Sequence, residues 1–315
     1  MKIVLLESLG VSDALLTELA APLLAQGHTF CAYARTNDEN QLIEEAQDAD
    51  VLMLANMPLS GRVIRACKHL QFIDVAFTGV DHVDLEAARE AGAAVSNAAG
   101  YSTQAVAELT IAQMLALLRN VPAVDARCRE GKTKDGLVGR ELSACTVGII
   151  GTGAIGRRTA ALARAFGSEV IAYAPRPKAE AEELVRYVPL EELLKTADIV
   201  CLHCPLNAET RGMIGQAQLA LMKPSAYLIN MARGPVVDSQ ALADALNEGR
   251  IAGAAIDVFE TEPPLSTDHP LLHARNCLVT PHVAFASKES MEKRARIVFH
   301  SLDMWLQGQQ INRIL

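Results

Sequence analysis

Short apolar runs alternate with amphipathic stretches through residues 1–98 of this chain. Each run has the length and composition of a buried strand, and each stretch between runs has the spacing of a helix. The predicted strands are Ile3–Leu6, Thr29–Tyr33, Val51–Ala55, Phe72–Ala76 and Ala93–Ser96, and the predicted helices are Asp13–Leu24, Leu42–Ala46, Gly61–Cys67 and Leu85–Ala91. This alternation predicts a parallel sheet with helices on both faces.

A second series of the same kind begins at residue 145, with predicted strands at 145–150, 169–173, 198–203, 226–230, 254–259 and 277–280. The small-residue break Asn97–Gly100 separates the two series, and Ser102 or Thr103 can cap the long helix that follows. More of this helix is apolar than one buried stripe requires, so we expect it deep in the core or against a second subunit. Lys288–Leu315 is predicted to be helical and to return to the first domain.

A glycine-rich turn follows the first strand of the second series. Gly151, Gly153 and Gly156 form the pattern G-x-G-x-x-G ahead of an Ala-rich helical stretch, Arg157–Phe166. In such a setting the first glycine permits a tight turn, the second lets the main chain approach a pyrophosphate, and the third lets the helix pack close to the strand. N–H groups at the start of the helix then face the anion. A turn without a ligand is the alternative, but strand, turn and helix in this order favour a dinucleotide site.

These patterns together predict an α/β fold of two doubly wound parallel-sheet domains, Rossmann or flavodoxin-like, with a cleft between them. Residues 99–286 are predicted to form the dinucleotide-binding domain. Residues 1–98 plus 287–315 are predicted to form the substrate-binding domain.

The end of the second strand of a dinucleotide-binding domain normally distinguishes NAD from NADP. An acid there would accept a hydrogen bond from the free adenine ribose hydroxyl. Here the strand Glu169–Tyr173 is followed by Ala174, and Glu169 stands at the opposite end. Arg176 can pair with a 2′-phosphate, although an arginine in such a loop can also simply be solvated. The sequence therefore favours NADP(H) over NAD(H).

Composition excludes several classes of protein. The chain has 315 residues and a net charge of −8 without a Lys/Arg cluster, which argues against nucleic-acid binding. Glu7 interrupts the first apolar run too early for a signal peptide, and no apolar run is long enough to span a membrane. Seven scattered cysteines are typical of a reduced, cytoplasmic protein. Cys201 and Cys204 have C-x-x-C spacing but no second pair, so no metal site is predicted.

Three residues able to do chemistry follow predicted strands of the second domain. They are Arg233, Glu262 and His282. Parallel strands bring these positions to one edge of the sheet, which is also the edge of the glycine turn. A guanidinium can grip a carboxylate and polarise a carbonyl, and an imidazolium can protonate the carbonyl oxygen as a hydride arrives. A neighbouring carboxylate would stabilise that imidazolium. Taken singly, these residues could be a surface arginine, a helix-capping glutamate and a structural histidine. Together at one edge of the sheet they predict hydride transfer to a 2-keto acid.

The segments around these residues strongly resemble the D-isomer-specific 2-hydroxyacid dehydrogenases. The resemblance rests on Asn230–Gly234 with Val237-Asp238, Gly253–Glu260, Glu262-Pro263 and Thr280–His282, and extends from the Gly79–Asp81 loop through Val106–Glu108 and Gly151–Gly156. It implies a homodimer of two-domain subunits, with the long helix contributing to dimerisation.

The resemblance also implies roles for single residues. Arg233 would bind substrate, His282 would be the acid/base and Glu262 its carboxylate partner, while Asp257 resembles a buried aspartate near the nicotinamide. The main chain at Phe77, Thr78 and Gly79 would hold the substrate carboxylate. The positions that match further cofactor contacts are Thr103, Ala154, Ile155, Cys204, Pro205, Thr210, Met231 and Ala232.

Substrate choice is suggested by the segment after the histidine. Relatives acting on hydroxypyruvate often have an aromatic residue at the position of Phe285, although such a residue can equally serve packing. The similarity to the glycerate dehydrogenase branch also includes His203–Leu206, Glu262–Pro264 and His269–Leu272. Hydroxypyruvate or glyoxylate is therefore the expected substrate. The alternatives are a dinucleotide-sensing module resembling the C-terminal-binding-protein corepressors and a phosphoglycerate dehydrogenase.

Overall fold

The computed structural model describes residues 1–261 and 264–315. It divides the chain into two compact units, of which unit 1 comprises Met1–Ser102 with Ala286–Leu315 and unit 2 comprises Thr103–Phe285. Each unit contains a parallel sheet, so the predicted α/β fold of two parallel-sheet domains is confirmed.

The strands are short and mostly buried, as expected for sheets covered on both faces. In chain order they are Lys2–Leu5 (β1), Thr29–Ala32 (β2), Val51–Leu54 (β3), Phe72–Val75 (β4), Ala94–Asn97 (β5), Thr146–Ile150 (β6), Glu169–Tyr173 (β7), Arg186–Tyr187 (β8), Ile199–Leu202 (β9), Tyr227–Asn230 (β10), Gly253–Ile256 (β11) and Cys277–Val279 (β12). Arg186–Tyr187 is a strand that the sequence pattern did not predict.

Several helices begin where a side-chain oxygen accepts a main-chain hydrogen bond, as at Ser12, Asp38, Asp84, Asp238 and Ser287. The helices are Asp13–Ala25 (α1), Glu39–Ala46 (α2), Gly61–Ala66 (α3), Leu85–Glu90 (α4), Thr103–Leu118 (α5), Val121–Arg129 (α6), Ala154–Ala165 (α7), Leu190–Thr196 (α8), Gln216–Leu219 (α9), Ser239–Asn247 (α10) and Lys288–Leu306 (α11).

Unit 1 is built on a five-stranded sheet of order β2-β1-β3-β4-β5 with parallel pairing. Helix α11 packs on β4, where the rings of Phe72 and Trp305 stack 4.8 Å apart. The prediction of a helix over Lys288–Leu315 is wrong for its last part. The helix ends at Leu306, Gly308 has a φ of +79°, and Arg313 bridges to Ser96 antiparallel to β5. A glycine in the left-handed region ends the helix there.

Unit 2 is built on a seven-stranded sheet of order β12-β11-β10-β9-β6-β7-β8. The order reverses at β6, whose neighbours are β7 and β9, and ligands of open α/β sheets bind beyond the carboxyl ends of the strands at such a point. Helix α5 lies against α7, β10 and β11, and half of its residues are buried within this unit, including Met114 and Leu117. Burial in the core therefore accounts for much of its apolar character.

Candidate active site

The glycine turn of unit 2 joins β6 to α7 at the point where the strand order reverses. Gly151 has a φ of +97°, and a Cβ atom there would lie 2.7 Å from the main chain of His203. A Cβ at Gly156 would lie 2.0 Å from the carbonyl oxygen of Gly151. A Cβ at Gly153 would meet nothing within 4 Å, although this residue is the N-cap of α7. Two glycines thus serve close packing, and the third leaves the start of the helix open for an anion.

His282 stands in a tight turn that Asp257 organises. Its φ is +53°, a conformation that is uncommon for a residue with a side chain. The main-chain N–H of His282 donates to the Asp257 carbonyl oxygen at 2.7 Å. The Asp257 carboxylate, fully buried, accepts hydrogen bonds from the Thr280 hydroxyl at 2.6 Å and from the N–H groups of Val283 and Ala284, each at 2.9 Å. The carboxylate therefore fixes the turn on both sides of the histidine.

Phe285 contacts the His282 ring directly. The two ring centroids are 5.5 Å apart and the planes meet at 89°, an edge-to-face arrangement. Both residues are half-buried. The contact restricts the rotation of the His282 side chain.

Arg233 follows β10 in a loop held by Asn230. The Asn230 side chain, almost fully buried, donates to the Arg233 carbonyl oxygen and accepts from the Ala232 N–H, both at 3.0 Å. The next residue, Gly234, packs against the main chain of Phe259, since a Cβ there would lie 1.8 Å from the Phe259 carbonyl carbon. The half-buried Arg233 side chain also donates to the Ala232 carbonyl oxygen at 2.9 Å. Sequence reasoning did not identify the roles of Asn230 and Gly234.

The register of the sheet brings these loops to the same edge. Asn230 pairs with Ile256, which in turn pairs with Val279, so β10, β11 and β12 end side by side. Adjacent strands lie about 4.8 Å apart. The loops that leave this edge carry, in the order of the strands from β12 to β7, His282, Asp257, Met231–Arg233, Cys204-Pro205, Gly151–Gly156 and Ala174–Arg176. The predicted cofactor and catalytic positions on these loops thus share one edge.

The remaining predicted positions differ in exposure. Ala154 is exposed and Ile155 half-buried in the first turn of α7, while Thr103 is the first residue of α5. Ala174 is half-buried and Arg176 is exposed after β7. The buried Thr210 donates to the Pro205 carbonyl oxygen at 2.6 Å and thereby closes the loop after β9.

Glu262 and Pro263 lie outside the described residues. The carboxylate that the sequence pairs with His282 therefore remains a prediction.

Burial sets the charge state of two side chains beside the glycine turn. It lowers the pKa of the His203 imidazole to about 4 and raises the pKa of the Cys204 thiol to about 11. Both groups are therefore neutral near pH 7. Because neither side chain is charged, an anion bound at the turn would interact mainly with main-chain N–H groups.

The predicted carboxylate-binding loop of unit 1 leaves the carboxyl end of β4. Phe77 is buried, Thr78 is exposed and Gly79 is half-buried. The Thr78 carbonyl oxygen accepts a hydrogen bond from the Asn97 side-chain amide at 2.6 Å, and the Phe77 carbonyl oxygen accepts from the Ala98 N–H at 3.0 Å. The loop is therefore anchored to the end of β5.

Over 1–261 and 264–315, no three His, Cys, Asp or Glu side chains are grouped as metal ligands would be. Within these ranges, too, every helix is too short or too polar to cross a bilayer.

Comparison with known proteins identifies relatives across nearly the whole chain. A hydroxypyruvate reductase of Blautia hydrogenotrophica is 37% identical over 89% of this chain and 90% of its own length. A glyoxylate reductase of Korarchaeum cryptofilum is 39% identical over 85% of this chain and 83% of its own. A D-3-phosphoglycerate dehydrogenase of Methanocaldococcus jannaschii is 39% identical over 97% of this chain but only 58% of its own length.

A solved structure and a family model agree with these relatives. An acyclic imino acid reductase in complex with NADPH and D-Arg superposes with a TM-score of 0.91 at 28% identity over 100% of both chains. The sequence model described as "D-isomer specific 2-hydroxyacid dehydrogenase, NAD binding domain" matches residues 111–284, which include the glycine turn, Arg233 and His282. The chain belongs to the D-isomer-specific 2-hydroxyacid dehydrogenases, a family of oxidoreductases that use a nicotinamide cofactor and act on the CH–OH group of 2-hydroxyacids.

Proposed function

We propose that this protein reduces a small 2-keto acid, hydroxypyruvate or glyoxylate, to the D-2-hydroxyacid with NADPH or NADH. The observation that supports this most strongly is the shared edge of unit 2, where Arg233 follows β10 and His282 follows β12, the two strands that flank β11 in the sheet that carries the glycine turn. The relatives named hydroxypyruvate reductase and glyoxylate reductase favour these two substrates.

The residues of the chain fit a bound dinucleotide. The space above Gly153 is open and α7 starts there, so main-chain N–H groups can hold the pyrophosphate. A dinucleotide bound there would supply, from its reduced nicotinamide, a hydride for the carbonyl carbon of the substrate.

In the proposed mechanism the protein provides the proton and the orientation. Arg233 binds the substrate carboxylate and polarises its carbonyl group. His282 donates a proton to the carbonyl oxygen, which becomes the hydroxyl of the product. Glu262 would stabilise the protonated imidazole before the transfer. In the oxidative direction His282 takes the proton back.

Loop composition favours an uncharged substituent over a phosphate on the substrate. In the sequence, residues 36–61 and 76–88, which contain the loops after β3 and β4, include no Lys or Arg. A phosphate normally requires such cations. The lack of such cations in these loops makes phosphoglycerate oxidation the second candidate.

The direct test is a panel of substrates with both cofactors. Purified protein is incubated with NADPH or NADH and glyoxylate, hydroxypyruvate, pyruvate, a bulkier 2-keto acid or phosphohydroxypyruvate, and oxidation of the cofactor is followed by its absorbance. We expect the highest kcat/KM with glyoxylate or hydroxypyruvate. A preference for phosphohydroxypyruvate would favour the second candidate, and oxidation with none of them would contradict the proposal. Cofactor-dependent binding of a protein without turnover would instead favour the sensing module.

We further propose that NADP(H) is preferred over NAD(H). Supporting this are the absence of an acid directly after β7 in the sequence and the exposed position of Arg176. Replacing Arg176 by Ala should lower the preference for NADPH, whereas Arg89→Ala, an exposed charge change in unit 1, should leave it intact. An unchanged preference in Arg176→Ala would remove that residue from the proposal.

A homodimer in the cytoplasm completes the proposal. The family resemblance supports the dimer, and the seven free cysteines are typical of a reducing compartment.

A further inference from the structure

Asn97 is fixed at the end of β5 and is 7% exposed. Its amide Nδ2 donates to the Thr78 carbonyl oxygen at 2.6 Å, and its Oδ1 accepts from the Ala99 N–H at 3.3 Å. The adjacent Ala98 N–H donates to the Phe77 carbonyl oxygen at 3.0 Å. Two consecutive carbonyl groups of the loop after β4 are therefore bound by two consecutive residues at the end of β5.

These contacts determine the direction of two N–H groups. A trans peptide unit is planar, and its C=O and N–H point in opposite directions. Because the carbonyl oxygens of Phe77 and Thr78 face β5, the N–H groups of Thr78 and Gly79 face away from it. Neither N–H donates a hydrogen bond within the part of the chain that the structure describes.

Hydrogen bonds to the Glu7 carboxylate also anchor the loop after β4, through the segment that follows β3. The Glu7 carboxylate, 4% exposed, accepts from the N–H groups of Ala55 and Met57 at 2.8 and 2.7 Å and from Arg35 at 3.1 Å. The segment after β3 that it holds continues to Leu59, which pairs with His82 and Asp84 through main-chain hydrogen bonds of 2.9 and 3.0 Å. The loop after β4 is thus anchored at both ends.

We propose that Asn97 is a positioning residue for substrate binding, which orients the N–H groups of Thr78 and Gly79 toward the two oxygens of the substrate carboxylate. This inference rests on the proposed reduction of 2-keto acids. Asn97 would thus help the protein bind the carboxylate, which all 2-keto acids share, although the Asn97 side chain itself does not touch the substrate.

The variant Asn97→Asp tests this role. Aspartate keeps the acceptor for the Ala99 N–H but replaces the donor to Thr78 with an oxygen that repels the Thr78 carbonyl. The matched control is Ser96→Ala, which removes the 2.7 Å hydrogen bond from the neighbouring buried hydroxyl to the Ile311 carbonyl oxygen. Asn97→Asp loses one hydrogen bond of β5. Ser96→Ala loses the bond to Ile311 and also the one that its hydroxyl accepts from Gln310 at 3.3 Å, but only Asn97→Asp frees the loop.

We expect Asn97→Asp to raise the KM by about 10-fold, as the loss of one well-placed hydrogen bond predicts. The factor should be the same for glyoxylate, pyruvate and hydroxypyruvate, because the carboxylate is common to them. The Kd of NADPH, which is assigned to unit 2, should remain unchanged, and Ser96→Ala should keep the KM of the wild type. An unchanged KM in Asn97→Asp, a factor that varies with the substrate, or an equal rise in Ser96→Ala would overturn the inference.

Hydrogen exchange separates this inference from the proposed function. Asn97→Asp should accelerate exchange in peptides covering residues 77–83, and Ser96→Ala should not. If the wild type reduces no keto acid, the proposed function fails while this measurement still decides whether Asn97 holds the loop. Equal exchange in both variants would show that it does not.

Discussion

Asp257 is the residue whose contacts most clearly connect the fold to the chemistry. The buried carboxylate binds two N–H groups and one hydroxyl around a histidine with a φ of +53°. Replacing it with Asn puts an amide N–H where an acceptor is required, which costs about 1–3 kcal/mol. We expect Asp257→Asn to lower the free energy of unfolding in urea by that amount and to lower kcat as well.

The matched control for this prediction is Asp244→Asn, an exposed carboxylate on α10 that accepts a hydrogen bond from Gln240. It should change the free energy of unfolding by less than about 0.5 kcal/mol. Equal effects of the two substitutions would contradict the role assigned to Asp257.

Asp74 should make the stability of the protein depend on pH. It is fully buried in β4, and burial raises the pKa of its carboxyl group well above the ordinary value, with the Ser301 hydroxyl offsetting only part of the rise. An unfolded aspartate loses its proton near pH 3.9, about the ordinary value, whereas the folded one keeps it to higher pH. The stability that Asp74 contributes is therefore present at low pH and falls as the pH rises toward the native pKa.

Asp74→Asn should remove this dependence. The difference between the unfolding free energies of the variant and the wild type should grow by up to about 1.4 kcal/mol per pH unit above pH 4. Urea unfolding at several pH values measures it. A difference that stays constant with pH would show that Asp74 is ionised in the folded protein.

Residue types at the site were predictable, but the side chains that position them were not. Arg233 and His282 follow predicted strands and match family motifs, so the sequence alone was enough to predict them as site residues. The roles of Asn230 and Asp257 depend on hydrogen bonds to loops whose conformation no local pattern specifies. Asp257 was identified only by resemblance, and its contacts to residues 280–284 came from the structure.

In the glycine turn between β6 and α7, different glycines serve cofactor binding and close packing. A Cβ atom added at Gly153 would lie in open space, whereas one added at Gly156 would clash with the Gly151 carbonyl oxygen. We expect Gly153→Ala to cost at most about 1 kcal/mol as a weaker N-cap and to raise the Kd of NADPH at least 10-fold by obstructing the phosphates.

Gly156→Ala serves as the comparison, because it should destabilise the protein through a main-chain clash. Thermal unfolding and fluorescence titration with NADPH measure both effects. If Gly153→Ala bound the cofactor as the wild type does, the pyrophosphate would not lie at this turn.

The hydrophobic pattern of the sequence did not predict where several strands and helices end. The strand predicted at 254–259 ends at Ile256, since the chain turns at the buried Asp257. Residues 307–315 continue a helical composition, but their pairing with β5 requires a partner that is distant in sequence. Two-residue β8 is too short to leave a periodic signal.

On the scale of the whole molecule, the strand–helix alternation predicted both sheets because parallel strands buried on both faces are apolar throughout. The order of the strands was not predictable from periodicity, since it depends on which strands pair across the sheet. In unit 2 that order places the loops after β12, β11, β10, β9 and β6 next to one another.

The proposed homodimer makes a prediction at this scale. Sedimentation equilibrium over a range of concentrations should give twice the mass of one chain. Since α5 is already half-buried within unit 2, a stable monomer is physically possible, and finding only that mass would contradict the dimer.

His282 is proposed to move the proton when a 2-keto acid is reduced. The most direct measurement is the steady-state rate of NADPH oxidation with hydroxypyruvate for the wild type and His282→Gln, together with the Kd of NADPH for each. If His282 moves the proton, the kcat of the variant should be lower by about 10² to 10⁴ and its Kd for NADPH should be similar to that of the wild type. A variant that turns over as fast as the wild type would contradict it.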